Sequence, residues 1–266
     1  MAFGAADRRG RGAHMSQSLD RALTLLTSIA QDARTLDDLA DEIGVHKSTV
    51  LRLLRTLEQH HFVRREGARH YRLGSAMFDL ANQALDSFDV RRSAQPALAA
   101  LNARTGHTVH LASYEDGEVV YIDKFEGRHS VRMYSRIGKR APLHCTAVGK
   151  VLVAAMPVAR REEIARSIEY PVRTPNTITT PAEYLAELER VAERGYAVDN
   201  AEHEDFIHCI AAPVRGTGGE VLAAASMSVP KVLLDYEGLL ALVPELRAAT
   251  REASVHSGWT ENGKGH

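Results

Sequence analysis

Between residues 45 and 73 the chain concentrates side chains of the types that can bond nucleic acid. Lys47, Ser48, Thr49, Arg52 and Arg55 come first, followed by Arg64, Arg65, Arg69 and Arg72. Arginine can bond a guanine edge through two donors, and short hydroxyls can reach bases or phosphates. The charge is unevenly placed. Residues 16–44 hold two cations, Arg21 and Arg34, against six anions, whereas residues 45–73 hold seven cations against Glu58 and Glu66. A positive field confined to one stretch is where phosphate contacts would form.

The elements that must present these groups follow from spacing. Leu36, Leu39, Ala40 and Ile43 recur at helical period from Thr35 to Ile43, with Thr35 and Asp38 in the positions of a capping box. Gly44 supplies a residue tolerant of positive φ, so the chain can turn with Val45 as an apolar plug. A second helix is expected from about Lys47 to Gln59, with Val50, Leu53, Leu54 and Leu57 as its buried stripe. Phe62 to Arg65 and His70 to Leu73 read as two strands turning through Glu66 and Gly67. Helix, glycine turn, helix and arginine-rich hairpin form the layout of a winged helix-turn-helix, whose second helix enters the major groove. A preceding helix with Leu19, Ala22, Leu23, Leu26 and Ile29 on one face is expected to support it. Ser75 to Phe88, carrying Met77, Leu80, Ala81, Ala84 and Leu85, reads as a linker helix.

With 266 residues, 44% hydrophobic and 25% charged, the chain has room for this small domain and one of ordinary size. Its net charge of -1 leaves DNA affinity to the local patch and to oligomerisation. Cys145 and Cys209 form no CxxC pair, which excludes a disulfide scaffold and suits a reducing cytoplasm. No apolar run reaches membrane-spanning length, and no signal peptide is expected. The expected division is a tail over 1–15, a DNA-binding domain over 16–74, a linker over 75–91, a second domain over 92–258 and a tail over 259–266.

The second domain mixes element types. A helix is expected from Arg92 to Arg104, then strands from Val109 to Tyr114 and Val119 to Phe125, with Val131 to Tyr134 as a third. Thr146 to Met156 and Arg160 to Ser167 read as helices. Thr180, Pro181, Glu183 and Gly195 mark the start and stop of another. Ile207 to Val214 and Val221 to Val229 alternate as a hairpin around Gly216 to Gly219, and one closing helix is expected from Glu237 to His256. Sheet with flanking helices makes this an α+β sensor-like domain.

Four ordered segments carry a resemblance across about Ser16 to His256: SLDRALTLL; VHKSTVLRLLRTLEQHHFV with YRLG; PLHCTAVGKVLVA; and GYAVDNAEHE with CIAAPVR. The chain resembles the IclR family of bacterial transcriptional regulators. That resemblance implies a winged helix-turn-helix, a linker helix and a C-terminal domain similar to GAF and PAS sensors. It also implies dimers or tetramers on palindromic double-stranded operators and a small effector, often an organic or aromatic acid. Repression relieved by ligand is the mode it favours, and no cofactor is expected. The family's effector-contacting positions correspond here to Met133, Ala147, Val148, Asp199, Ile207, Cys209, Ser226 and Ser228. Ile207 with Cys209, and Ser226 with Ser228, each share one face of a strand. Thr146, Ala147, Val148 and Gly149 open a helix whose free N–H groups would suit a carboxylate, and Asp199 could accept a ligand hydroxyl or amine. The sequence departs from the family pattern at Asp205, Phe206 and His208, where proline, glycine and arginine are usual.

Two rival chemistries remain to be weighed. Cys145 or Cys209 could be a nucleophile beside His144 or His208, although neighbours in a strand point to opposite faces. His107, His110, His144, Cys145, His203 and His208 could together sense a metal, but they lack ligand spacing.

Overall fold

The computed structural model describes residues 16–67, 69–86, 89–128 and 135–260. The chain divides into two compact units between Ala84 and Leu85. In the first, α1 (Gln17–Gln31), α2 (Leu36–Ile43) and α3 (Lys47–Gln59) enclose Leu25, Ile29, Leu39, Val50, Leu54 and Val63. Thr35 Oγ1 accepts from Asp38 N at 3.2 Å and Asp38 Oδ2 accepts from Thr35 N at 3.0 Å, so the expected capping box starts α2. Gly44 ends it at φ 64°, with nothing within 4 Å of a would-be Cβ, so its conformation and not crowding selects glycine.

The hairpin comprises β2 (Val63–Glu66) and β3 (His70–Leu73), paired antiparallel. A two-residue strand that the sequence did not announce, β1 (Arg34–Thr35), adds to the far side of β3. The face of α1 also differs from expectation. Leu25, Ser28 and Ile29 are buried, with Leu26 packed against them, while Leu19 and Leu23 stay more than half exposed. Two apolar stripes compete along this helix, and contact with α2 and α3 decides between them. The helix expected as a linker, α4, runs Ala76–Asp86 and buries no residue; Ser87 and Phe88 lie outside the described residues.

The second unit is built on a sheet of six antiparallel strands, in the order β6-β5-β4-β9-β8-β7. These are β4 (Thr108–Glu115), β5 (Glu118–Phe125), β6 (Arg140–Ala141), β7 (Ala197–Asp199), β8 (Ile207–Arg215) and β9 (Val221–Pro230). Along β9, Ala223, Ala225, Met227 and Val229 point to one face and meet α5 (Asp89–Thr105) and α10 (Val243–His256). The alternate residues point to the other face, where α6 (Ala147–Ala154) and α8 (Pro181–Arg194) lie, with α7 (Val158–Ser167) against α8. Both faces of the sheet are therefore covered, and the layers are helix, sheet, helix.

Thr180 caps α8, with Pro181 in its first turn, and Gly195 stops it at φ 77°. The expected closing helix is two helices, α9 (Tyr236–Ala241) and α10, because Pro244 has no N–H for the Leu240 carbonyl and its ring crowds the preceding turn. The expected strand Val131 to Tyr134 lies outside the described residues. No described helix is long and apolar enough to cross a membrane.

Candidate nucleic-acid face and ligand pocket

The front of α3 starts at a cap that the sequence did not reveal. His46 Nδ1 accepts from Ser48 N at 3.3 Å and lies 2.8 Å from Ser48 Oγ, which occupies the Ser48 hydroxyl locally. Lys47 pairs with Asp37 at 2.8 Å on the open surface. Burial of Val50, Leu53 and Leu54 turns the other face of α3 outward, leaving Arg52 and Arg55 exposed and Thr49 half-buried.

In the hairpin the register separates the arginines. Arg65 sits opposite Tyr71, its guanidinium 5.5 Å from the ring centre and 3.9 Å from Glu58. Arg64 faces Arg72 across the strands, and Arg72 is paired with Glu66. Arg52, Arg55, Arg64 and Arg69 have no carboxylate partner among the described residues. Ion pairs on the open surface contribute little to stability, so Lys47 and Arg72 can exchange a carboxylate for a phosphate at small cost.

In the second unit, eight of the nine residues singled out for an effector line one pocket: Thr146, Ala147, Val148, Asp199, Ile207, Cys209, Ser226 and Ser228. The ninth, Met133, lies outside the described residues. The pocket holds about 600 Å³ of space, its open mouth included. Strand register explains the convergence. Asp199, Cys209 and Ser228 are cross-strand neighbours in one row, and Ala211, Ser226 and His110 form the next.

The α6 N-terminus forms an adjoining wall. Thr146 Oγ1 accepts from Gly149 N at 3.2 Å and the Thr146 carbonyl accepts from Lys150 N at 3.1 Å. The Ala147 and Val148 N–H groups remain without a protein acceptor among the described residues, at the positive end of the helix dipole.

Sequence reasoning did not assign His110, Tyr121, Ser135, Lys139, Arg140, Ala141, His203 and Glu204 to this pocket. Period-two alternation could have oriented His110, but its neighbours depend on register. A hydrogen-bonded chain crosses the floor: Cys209 Sγ donates to Ser228 Oγ at 3.2 Å, Ser228 Oγ lies 3.5 Å from His110 Nδ1, and His110 Nε2 lies 2.7 Å from Ser135 Oγ. Burial, helped by the Lys124 ammonium, pushes His110 down to about 3, so its ring is neutral. Burial raises Cys209 well above the usual thiol range, despite the hydrogen bond to Ser228, and it is a thiol. Burial also lifts Asp199 to about 7, against the hydrogen bond from Glu202 N at 2.7 Å. Behind it, Lys150 donates to Val198 O at 2.8 Å and to Glu202 at 2.6 Å, tying α6 to β7 and to the segment that follows it.

These environments also bear on the rival chemistries. Cys145 lies 3.7 Å from His203, but burial pushes the thiol up to about 12 and the imidazole down to about 4, the wrong protonation states for an activated nucleophile. Cys209 faces the pocket, while its neighbour His208 is buried on the opposite face of β8. Among the described residues no group of three or more His, Cys, Asp or Glu side chains could hold a metal ion.

An N-terminal helix-turn-helix unit and a C-terminal unit with an inward polar pocket define a ligand-responsive regulator. Comparison with known proteins gives the family. Residues 18–67 match the IclR helix-turn-helix domain and residues 82–255 match the bacterial transcriptional regulator IclR C-terminal domain. The HTH-type transcriptional regulator KdgR of Escherichia coli is 37% identical over 225 residues, covering 84% of this chain and 86% of its own. XynR of the same organism is 36% identical over 215 residues, covering 80% and 85%. Among solved structures, Thermotoga maritima IclR superposes with a TM-score of 0.80 at 32% identity, covering 92% of this chain and 100% of its own. An IclR homologue from Microbacterium hydrocarbonoxydans complexed with 4-hydroxybenzoate superposes at 0.78 with 26% identity, covering 90% and 98%. This chain belongs to the IclR family. It is a DNA-binding transcriptional regulator of that type, not an enzyme.

Proposed function

We propose that the protein is a cytoplasmic repressor whose grip on a palindromic operator is modulated by a small organic or aromatic acid. Residues 16–74 read DNA, 75–91 link, and 92–258 bind the effector. Thr49 and Arg52 contact base edges, Arg55 and Lys47 with Ser48 hold the flanking backbone, and Arg64, Arg65 and Arg69 reach phosphates from the wing. Two or four copies assemble so that two readers engage two half-sites. The observation that carries the effector reading is the pair of free N–H groups at Ala147 and Val148, beside a pocket that also presents Asp199, Ser226 and Ser228. An acid seated there must bind one arrangement of the readers more tightly than another, since only differential affinity shifts the equilibrium.

The test is an operator titration with and without an acid that binds the protein by calorimetry. Coupling of about 1 to 3 kcal/mol changes operator affinity roughly 5- to 150-fold. Ser228→Leu fills the pocket and removes a hydroxyl, so it should keep operator affinity and lose the response. A variant that still responds with wild-type affinity and coupling would show that the effector binds elsewhere.

A further inference from the structure

On the side of β8 away from β9, the short strand β7 pairs only with Cys209 to Ala211, so Ala212 to Arg215 form an open sheet edge. That edge offers little to a docking strand. Pro213 has no N–H, and the Arg215 N–H is given to Ser254 Oγ of α10 at 2.9 Å. Where β7 falls short and Gly195 ends α8, a hollow of about 1130 Å³, its open mouth included, lies between this edge and α10. It shares no lining residue with the pocket beside α6.

What the hollow presents is cationic. Arg215 reaches it from β8, and Arg247 and Arg251 reach it from successive turns of α10. No acidic side chain stands among its described lining residues. Arg215 gives one guanidinium N–H to Gly219 O at 2.9 Å, and Arg247 lies over Gly195, its Nη2 3.8 Å from where a Cβ would stand. Neither pairs with a carboxylate among the described residues, whereas Arg251 is already engaged within the chain. On a chain with a net charge of -1, this concentration does not come from general basicity. Arg215 and Arg247 each keep donors in a planar fork, the geometry that grips the oxygens of an anion in pairs.

The rest of the wall is apolar, formed by Ala212, Val243, Pro244 and Ala248 with Trp259. After Gly258 turns the chain at φ 88°, Trp259 N donates to Ser254 O at 2.9 Å, which folds the tryptophan back onto the last turn of α10. A ligand that fits both walls has a compact anion at one end and a carbon body at the other. A monocarboxylate carries one charge, which a single arginine satisfies. A phosphate monoester carries about 1.5 to 2 charges and three acceptor oxygens at neutral pH, enough to engage two forks at once.

We propose that this hollow is a second ligand site, one for a phosphate monoester, gripped by Arg215 and Arg247 with its carbon body against Trp259. It stands independently of the effector reading of the pocket beside α6.

Trp259 is the single tryptophan of the chain, so its fluorescence reports on this hollow directly. The test titrates the full chain at one pH and salt concentration with glucose-6-phosphate, ribose-5-phosphate and glycerol phosphate, against glucose, ribose, glycerol and sulfate, with calorimetry for the affinities. At least one ester should change the fluorescence saturably and bind about 10-fold or more tighter than both its dephosphorylated counterpart and sulfate. Arg215→Ala and Arg247→Ala should each weaken that ester about 10-fold, Arg247→Lys should weaken it less, and Ser228→Leu in the other pocket should leave it unchanged. Esters that bind no tighter than sulfate, or as tightly to both alanine variants as to wild type, overturn the proposal, as does a Trp259 fluorescence that no ester moves. An ester whose binding is lost in Ser228→Leu occupies the pocket beside α6 and also overturns it.

Discussion

Asp199 shows how one side chain can couple the pocket to pH. Its carboxyl is ordinary in type but buried, and burial disfavours the charged form enough to raise it from 3.8 to about 7. Stability drawn from the protonated folded form is therefore complete below about pH 4 and lost as pH rises through about 7. His110 acts in the opposite sense, since below about pH 6.5 the unfolded chain takes up a proton that the folded ring refuses until about 3. Asp199→Asn removes only the first effect and keeps an oxygen to accept from Glu202 N. One pH unit of preference corresponds to about 1.4 kcal/mol. The variant should thus gain on wild type by at least about 1 kcal/mol between pH 5 and pH 8 in denaturant titrations. A difference that stays flat across that range would mean Asp199 is ionised in the folded protein.

At the scale of elements, the hairpin of β2 and β3 sorts its cations by strand parity. Arg65 shares a face with Val63, Tyr71 and Leu73 and is held by Tyr71 and Glu58, while Arg64 has no such partner. Each phosphate contact changes the slope of log affinity against log salt by about 0.9. Arg64→Ala should weaken matched and scrambled operators alike and flatten that slope by close to one contact. Arg65→Ala should flatten it less and lower the stability of the reader, because it also removes packing on Tyr71. Filter-binding titrations over a salt series would refute this ordering if Arg64→Ala left the slope unchanged.

For the molecule as a whole, the exposed apolar surface of the reader unit points to assembly. Phe78 is 71% exposed and Leu80 50%, on a helix that buries nothing within its own chain. Leu19 and Leu23 of α1 are similarly open. Exposed apolar surface of this kind marks a protein contact, and a second copy would supply the second half-site reader. Sedimentation at micromolar concentration should find a dimer or tetramer, and the double variant Phe78→Glu/Leu80→Glu should shift it toward monomer and weaken operator binding. A wild-type monomer that binds one per operator would rule the assembly out.

The features set by neighbours in sequence were legible from the residues alone. Thr35 with Asp38, Gly44, Thr180 with Pro181, and Gly195 bound their helices where expected, because a cap or a positive-φ stop acts within four residues. The span of α3 and its buried stripe were legible for the same reason, since helical period repeats locally. The pairing of Ser226 with Ser228 on one face followed from period two. What lay beyond the sequence depended on distant partners. Two apolar stripes on α1 are nearly equivalent until α2 and α3 choose one. The strands β1, β6 and β7 are too short to carry a pattern and exist because a neighbouring strand offers them hydrogen bonds. The bulge at Ile122 brings Tyr121 to the face of His110, and the register of β4 on β9 sets His110 beside Ser226. Sequence thus determined the reader and the helix start at the pocket wall, whereas tertiary register decided which polar groups line that pocket.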